Sequence, residues 1–214
     1  MVRVTIYVEG GVPYSDEGGI ANSAVFRENF HRLFAQILTY DSFDLAIQPI
    51  GQISQAAKYL EKISAQKING ILLVDLDGPK SSKTERVQNN YPTDPSKVFF
   101  MIQEMEAWIL SQPEKIEDYA KAIQLIFTRT ESIGNNPLIK NIHPEAIEKP
   151  GDRLNTIFRQ HFSSEKMRKG KIKQGPKNYI KSKDGPALIG MLDLTHLVEV
   201  FDEVQRLIEH IQRF

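Results

Sequence analysis

The sequence predicts an α/β fold: a parallel-sheet sandwich over residues 1–112, followed by a mainly helical part over residues 113–214 packed against it as one unit. Three observations lead there. "VRVTIYV" alternates apolar and polar residues, "INGILLVDLDG" holds an uninterrupted apolar run of the kind found in strands covered on both faces, and amphipathic helical patterns separate the apolar segments. Strands that alternate with helices pair in parallel through right-handed crossovers.

Taken in order, the first strand ends at Val8, and a Gly/Pro/Ser loop leads to "NSAVFRENFHRLFAQIL". There Val25, Phe26, Phe30, Leu33, Phe34, Ile37 and Leu38 share a helical face, and Asn22 or Ser23 can cap it. "FDLAIQPI" reads as a second strand and "QISQAAKYLEKISAQ" as a second amphipathic helix. After the third, apolar strand, "KVFFMIQ" is a fourth, running directly into "EMEAWIL" with helical composition, where Trp108 reads as core packing. Beyond Pro113 the patterns are helical, in "IEDYAKAIQLIF", "DRLNTIFRQHF" and "LTHLVEVFDEVQRLIEHIQ". A basic segment over 166–183 interrupts them; it is too polar to pack and is expected to be partly mobile.

A chain of 214 residues, 41% hydrophobic, is long enough for one sizeable core. Lys plus Arg and Asp plus Glu both number 27, so no global field draws in nucleic acid or an anionic membrane, and such a partner needs a local patch. The absence of cysteine excludes disulfides, thiolate zinc sites and thiol nucleophiles, and fits a reducing cytosol. No window approaches the ~18 apolar residues that span a bilayer, and the first strand lacks a signal-peptide core, so a soluble, cytoplasmic protein without a membrane partner is expected.

In a parallel sheet the carboxyl ends of the strands share one edge, where ligands bind. Each of the three best strands ends there in acid: Glu9 after the first, Asp75 and Asp77 after the third, Glu104 and Glu106 just after the fourth. Two aspartates two apart point to one face if strand geometry persists, and like charges held close repel unless a cation neutralises them. Oxygen ligands without histidine or cysteine select Mg²⁺ or Mn²⁺. Taken singly, Glu9 is also explained as a cap or a solvated loop charge, and Asp77-Gly78 as a turn. The three ends together favour a metal site. The basic segment, with Lys169, Lys171, Lys173 and Lys177 among its cations, suits phosphate contact without sequence readout, although a charge run is also simply solvated.

Other chemistries find less support. "GPKSSKT" has the ends of a phosphate-binding loop, but Ser82 stands where glycine should precede Lys83. No Gly-x-Ser-x-Gly elbow occurs, and the five histidines show neither His-Glu-x-x-His nor facial-triad spacing.

Glu at the end of the first strand followed by Asp-x-Asp after a later one resembles the Toprim pattern of topoisomerases, primases and nucleases of the overcoming-lysogenization-defect class. More closely, the chain resembles an uncharacterised bacterial Toprim-like family, often associated with ABC-type ATPases and with phage defence. The matching stretches are "YVEGG", "FRENFHRLF", "LLVDLDG", "FFMIQEMEAWIL", "KPGDRL" and "YIKSKDG", in that order. Met101 to Trp108 fits the family's Met-Val-Gln-x-Met-Glu-x-Trp with Ile102 for Val, the strongest match. The resemblance implies Glu9, Asp75, Asp77 and Glu106 as the acidic metal set, with Glu9 alternatively a general acid or base, and Lys181 as a catalytic cation beside a developing phosphorane, although Lys181 is equally explained as a solvated surface lysine. It also implies Arg27 and Lys149 as substrate-binding positions; Arg27 alternatively pairs with Glu28 or Glu61 on the surface. The chain departs from the family in the loop from Gly10 to Gly19, which carries Asp16 and Glu17, and at Gln52, where a basic residue is expected.

Two readings follow from different classes. One is a Mg²⁺-dependent nuclease acting on DNA or RNA under an ATPase partner; the other is a non-catalytic Toprim-like module that binds that partner. A narrower enzyme reading keeps the metal and changes the substrate to a small phosphate ester. A homo-oligomer is compatible with each.

Overall fold

The computed structural model describes residues 1–11, 17–168 and 171–214. Its first half is a four-stranded, wholly parallel sheet built from β1 (Val2–Val8), β2 (Phe43–Pro49), β3 (Gly70–Asp75) and β4 (Val98–Met101). The strand order is β2-β1-β3-β4. Crossovers are made by α1 (Glu17–Phe34), α2 (Ala56–Ala65) and α3 (Lys83–Asn90).

Period-two alternation sorts the strands' side chains onto two faces. Val4, Ile6 and Val8 with Ile71, Leu73, Phe99 and Met101 join the larger core, beneath Phe26, Phe30, Leu33 and Phe34 of α1. Tyr7, Leu72, Val74 and Phe100 join the smaller one with Ala56, Leu60 and Ile63 of α2. All six residues of β3 are buried, as expected for a strand covered on both faces.

The second half consists of α4 (Glu106–Leu110), α5 (Pro113–Ala122), β5 (Ile126–Phe127), α6 (Pro150–His161), β6 (Phe162–Arg168), β7 (Lys171–Pro176), α7 (Asp184–Ile189), α8 (Leu194–Val200) and α9 (Asp202–Ile211). The larger core continues into it without a break through Trp108, Leu154, Ile157, Leu188, Leu197, Leu207 and Ile211. Trp108, 1% exposed, is a core residue. Among the described residues no helix is long and apolar enough to cross a membrane.

Several boundaries differ from the sequence reading. α1 starts at Glu17, ahead of the expected caps Asn22 and Ser23, and Val25 faces outward at 45% exposure. Asp16 and most of the loop before it lie outside the described residues. β4 does not run into a helix, because Gln103 adopts φ 64° and α4 begins only at Glu106. The long C-terminal helical pattern breaks at Phe201, which is extended (φ −118°, ψ 108°) and packs its buried ring near Trp108, centroids 6.3 Å apart. Within this mainly helical half β5, β6 and β7 form an antiparallel sheet that takes up half of the basic segment. That hairpin needs little apolar burial: Phe162 and Ser163 anchor its base, and Gln174 Nε2 donates to Ser163 Oγ at 2.7 Å. Cross-strand pairing satisfies the backbone of the rest.

Since α9 shares the core with β4, the halves should unfold together. Leu207, fully buried, contributes ~2–5 kcal/mol relative to alanine. Leu207→Ala is expected to lower the midpoint of a single cooperative thermal transition, and calorimetry showing two transitions, only one of them shifted, would count against a shared core.

Candidate active site at the carboxyl edge of the sheet

β1 and β3 are the two central strands, and the chain order reverses between them, with β2 on one side and β4 on the other. Such a switch point leaves a crevice beyond the strand ends, because the two crossovers leave in opposite directions. Glu9 and Asp75 stand there. The Glu9 amide donates to Leu73 O at 2.9 Å, extending the ladder by one residue, and Glu9 Oε2 accepts from the Asp75 amide at 3.0 Å. The chain then turns away at Gly10 (φ 106°) and Gly11 (φ 70°). A Cβ at Gly11 would fall 2.8 Å from the Pro49 side chain, so the two glycines after Glu9 serve both the left-handed turn and close packing.

Beyond β3 the backbone leaves strand geometry. Asp77 adopts φ 53° and donates its amide to Gln103 O at 2.8 Å, while the Gln103 amide donates to Gly78 O at 3.0 Å. Two left-handed residues thus face each other across the β3 and β4 exits, a strained arrangement of the kind found at functional sites. Asp77 consequently does not repeat the direction of Asp75; its Oδ2 lies 3.4 Å from an Arg86 guanidinium nitrogen, and Arg86 also donates to Leu76 O. Both aspartates nevertheless line one cleft of about 550 Å³ together with Glu9, Phe26, Gln52 and Lys181.

The other acids lie on the far side of Lys181. Its ammonium is 3.5 Å from Asp75 Oδ2, 3.4 Å from Glu104 Oε2 and 3.1 Å from Glu106 Oε2. Glu106 is fully buried, and its Oε1 accepts from the Tyr179 hydroxyl at 3.0 Å. Glu104, Glu106, Lys149, Asp152 and Tyr179 line a neighbouring hollow of about 500 Å³ whose partition from the first is Lys181. The structure therefore brings Glu9, Asp75 and Asp77 to one cleft and sets Glu106 behind the ammonium, while Gln103 precedes α4 and donates to Glu145 O.

Lys181 is placed by an arch of chain from Lys177 to Gly185, of which the sequence reading singled out Lys177, Lys181 and the stretch "YIKSKDG" but not the fold. Asp184, fully buried, accepts at Oδ1 from the Tyr119 hydroxyl (2.7 Å) and at Oδ2 from Lys177 Nζ (2.6 Å) and the Ile180 amide (2.8 Å). Asn155 Oδ1 accepts from the Tyr179 amide at 3.0 Å. A Cβ at Gly185 would come within 2.7 Å of the Tyr179 hydroxyl, so only glycine lets α7 start this close. Lys177 is committed to Asp184 and to the Phe158 ring, 5.6 Å from its centroid. Lys173 is exposed on β7, Lys171 opens that strand, and Lys169 lies outside the described residues. Lys149 is left-handed at the head of α6, and Arg27 is half-buried on α1, next to Phe26 of the cleft wall; Glu28, one of the partners considered for it, meets Arg32 at 3.1 Å.

Burial dominates the electrostatics. It pushes the Asp75 carboxyl up to about 8, with Lys181 and the Met105 amide opposing and Glu106 and Glu9 reinforcing. Burial likewise pushes Glu9 up to about 6, against the Asp75 amide and with Asp77 reinforcing. For Lys181 burial pulls downward, but Asp75, Glu106 and Glu104 outweigh it and raise the ammonium above its ordinary value. Tyr179 is raised by burial and by Glu106, which keeps it a donor.

Between pH ~4 and about 8 native Asp75 therefore holds a proton that the unfolded chain releases, so its contribution to stability falls as pH rises through that window. Asp75→Asn removes this slope. In chelator, the variant's melting temperature should gain on the wild type between pH 5 and pH 8; parallel pH profiles would show that Asp75 is ionised throughout.

Residues 21–212 match the model of a family described as a domain of unknown function, DUF4276. No curated protein and no solved structure matches the chain. With the match covering β2, β3 and β4, the acids beyond β3 and β4, the arch and the C-terminal helices, though not β1 or Glu9, the chain belongs to the DUF4276 family.

Proposed function

We propose that this protein is a Mg²⁺-dependent nuclease of Toprim type that hydrolyses phosphodiester bonds, working in the cytoplasm as the effector of a bacterial phage-defence system controlled by an ABC-type ATPase. The observation that carries the reading is the convergence of Glu9 and Asp75 at the switch point, with Asp77 on the same cleft wall. The ATPase partner and the defence role rest on the sequence resemblance.

The donor set suits a hard divalent ion: Glu9, Asp75 and Asp77 offer carboxylate oxygens, and burial makes the Asp75 anion costly without a cation. Among the described residues no three His, Asp or Glu side chains converge on an ion as they stand, so these carboxylates would exchange present partners for it. When bound, Mg²⁺ or Mn²⁺ supplies charge neutralisation at a phosphate and a more acidic water. Glu9, with a carboxyl near 6, is suited to move a proton close to neutral pH. Lys181 presents a fixed positive charge at the cleft wall, where charge on a phosphoryl group would develop.

Nucleic acid as substrate is supported by the β6–β7 hairpin. Its register sets Lys166 opposite Lys173 and Arg168 opposite Lys171. A phosphate backbone laid along a strand pair of this basic sequence would release its counter-ions. A second reading, a non-catalytic module for the ATPase partner, is favoured by one observation: Lys181 already answers Asp75, Glu104 and Glu106.

The test is cleavage of plasmid DNA and of structured RNA in Mg²⁺ or Mn²⁺, with and without an ATPase partner. Glu9→Gln is expected to slow cleavage ~10²–10⁴-fold while melting cooperatively, and Asp75→Asn combined with Asp77→Asn to abolish metal binding by calorimetry; variants as active as the wild type would leave the module reading. Lys173→Glu is expected to weaken nucleic-acid binding and to flatten its dependence on log salt by about one unit, and an unchanged slope would remove the hairpin from the interface.

A further inference from the structure

Five carboxyls, Glu9, Asp75, Asp77, Glu104 and Glu106, gather around two cationic side chains, Lys181 and Arg86. The cluster is under-neutralised. Lys181 Nζ sits within 3.5 Å of three of those acids, and its side chain is the shared wall of the two hollows. Glu106 Oε2, fully buried, makes no hydrogen bond of good geometry and has the ammonium at 3.1 Å as its counter-charge.

We propose that Lys181 is a resident counter-ion latch: its ammonium holds the acids together in the metal-free protein, and a divalent cation binds by displacing it. The inference rests on the metal reading above for the identity of the incoming cation, and goes beyond it in assigning Lys181 a role before any substrate arrives. Three features make displacement feasible. The Lys181 side chain is 54% exposed, so its head group can swing into the cleft without leaving water behind. Its backbone need not follow, because Asn155 holds the Tyr179 amide and Asp184, three residues after Lys181, closes the arch back onto the Ile180 amide. Exchange also improves the charge balance, two positive charges replacing one beside three carboxyls that all lie within 3.5 Å of the ammonium.

Displacement would free the ammonium from Asp75, Glu104 and Glu106 while it stays at the wall between the two hollows, where a phosphoryl oxygen would replace the carboxylates as its partner. The latch and the phosphate contact are thus two positions of one side chain. Tyr179 keeps Glu106 in place in both, since its hydroxyl donates to the other oxygen, Oε1.

The experiment is Mn²⁺ titration of the purified full chain, following free Mn²⁺ by electron paramagnetic resonance, for the wild type, Lys181→Met and Lys181→Arg, with melting temperatures taken in chelator and in Mn²⁺. Lys181→Met is expected to bind Mn²⁺ at least ~tenfold more tightly than the wild type, to melt lower in chelator, and to recover in Mn²⁺. Lys181→Arg, which keeps the charge, should stay within a few-fold of the wild type in affinity. Equal or weaker binding by Lys181→Met, with the wild type still binding, overturns the latch and leaves the metal reading standing. Absence of Mn²⁺ binding by all three proteins overturns both.

Discussion

The carboxylate of Asp184 is the contact on which the site's geometry depends. It has no exposure to water, and a bare anion there would be prohibitively costly; the Tyr119 hydroxyl, the Lys177 ammonium and the Ile180 amide make it tolerable. Tyr119 comes from α5, and Lys177 and Ile180 from the arch itself. Satisfying one buried charge therefore closes the arch on itself, ties it to α5 and fixes the segment that presents Tyr179 and Lys181. Tyr179 in turn locks Glu106, and Lys181 balances Asp75, Glu104 and Glu106.

The sheet supplies the opposite wall by simpler means. Parallel pairing that ends with Val8 opposite Leu73 carries Glu9 and Asp75 to one edge, where the Asp75 amide donates to the Glu9 carboxylate, so the side chain of one acid is held by the backbone of the other. Left-handed backbone at Asp77 and Gln103 costs on the order of 1 kcal/mol or more for each residue, and the β3 and β4 exits hold it with reciprocal amide bonds. Stability is spent here on placement, which is why a wholly apolar strand ends in acid.

How legible all this was in the sequence follows from the range of the forces involved. Period-two alternation in β1 and the apolar run of β3 are local, and they located Glu9, Asp75 and the edge they share. Asp77 was placed at the right cleft by the wrong route, since its direction comes from a left-handed turn rather than from continued strand geometry. α3 went unread because it buries no residue fully and so shows little apolar periodicity. With it went Arg86, the partner of Asp77. Lys177 was read as a phosphate-contact cation and Tyr179 and Asp184 only as part of a family-like stretch, because their partners lie up to 73 residues away in sequence and no local pattern encodes such a pairing. The break at Phe201 was hidden for the same reason: its ring is claimed by Trp108, which overrides the helical period around it.

The basic segment is divided by its partners. Lys177 and Lys181 are consumed by buried acids, while Lys173 stays exposed on a hairpin whose register brings further basic residues opposite one another. The chain carries no formal net charge, yet it separates a positive projection from an acid-lined cleft. Such a molecule behaves toward a distant polyanion as an electric dipole rather than as a monopole. It feels little attraction at long range and a turning moment at short range, so ionic strength would govern the orientation in which it meets a charged strand more than how often the two collide.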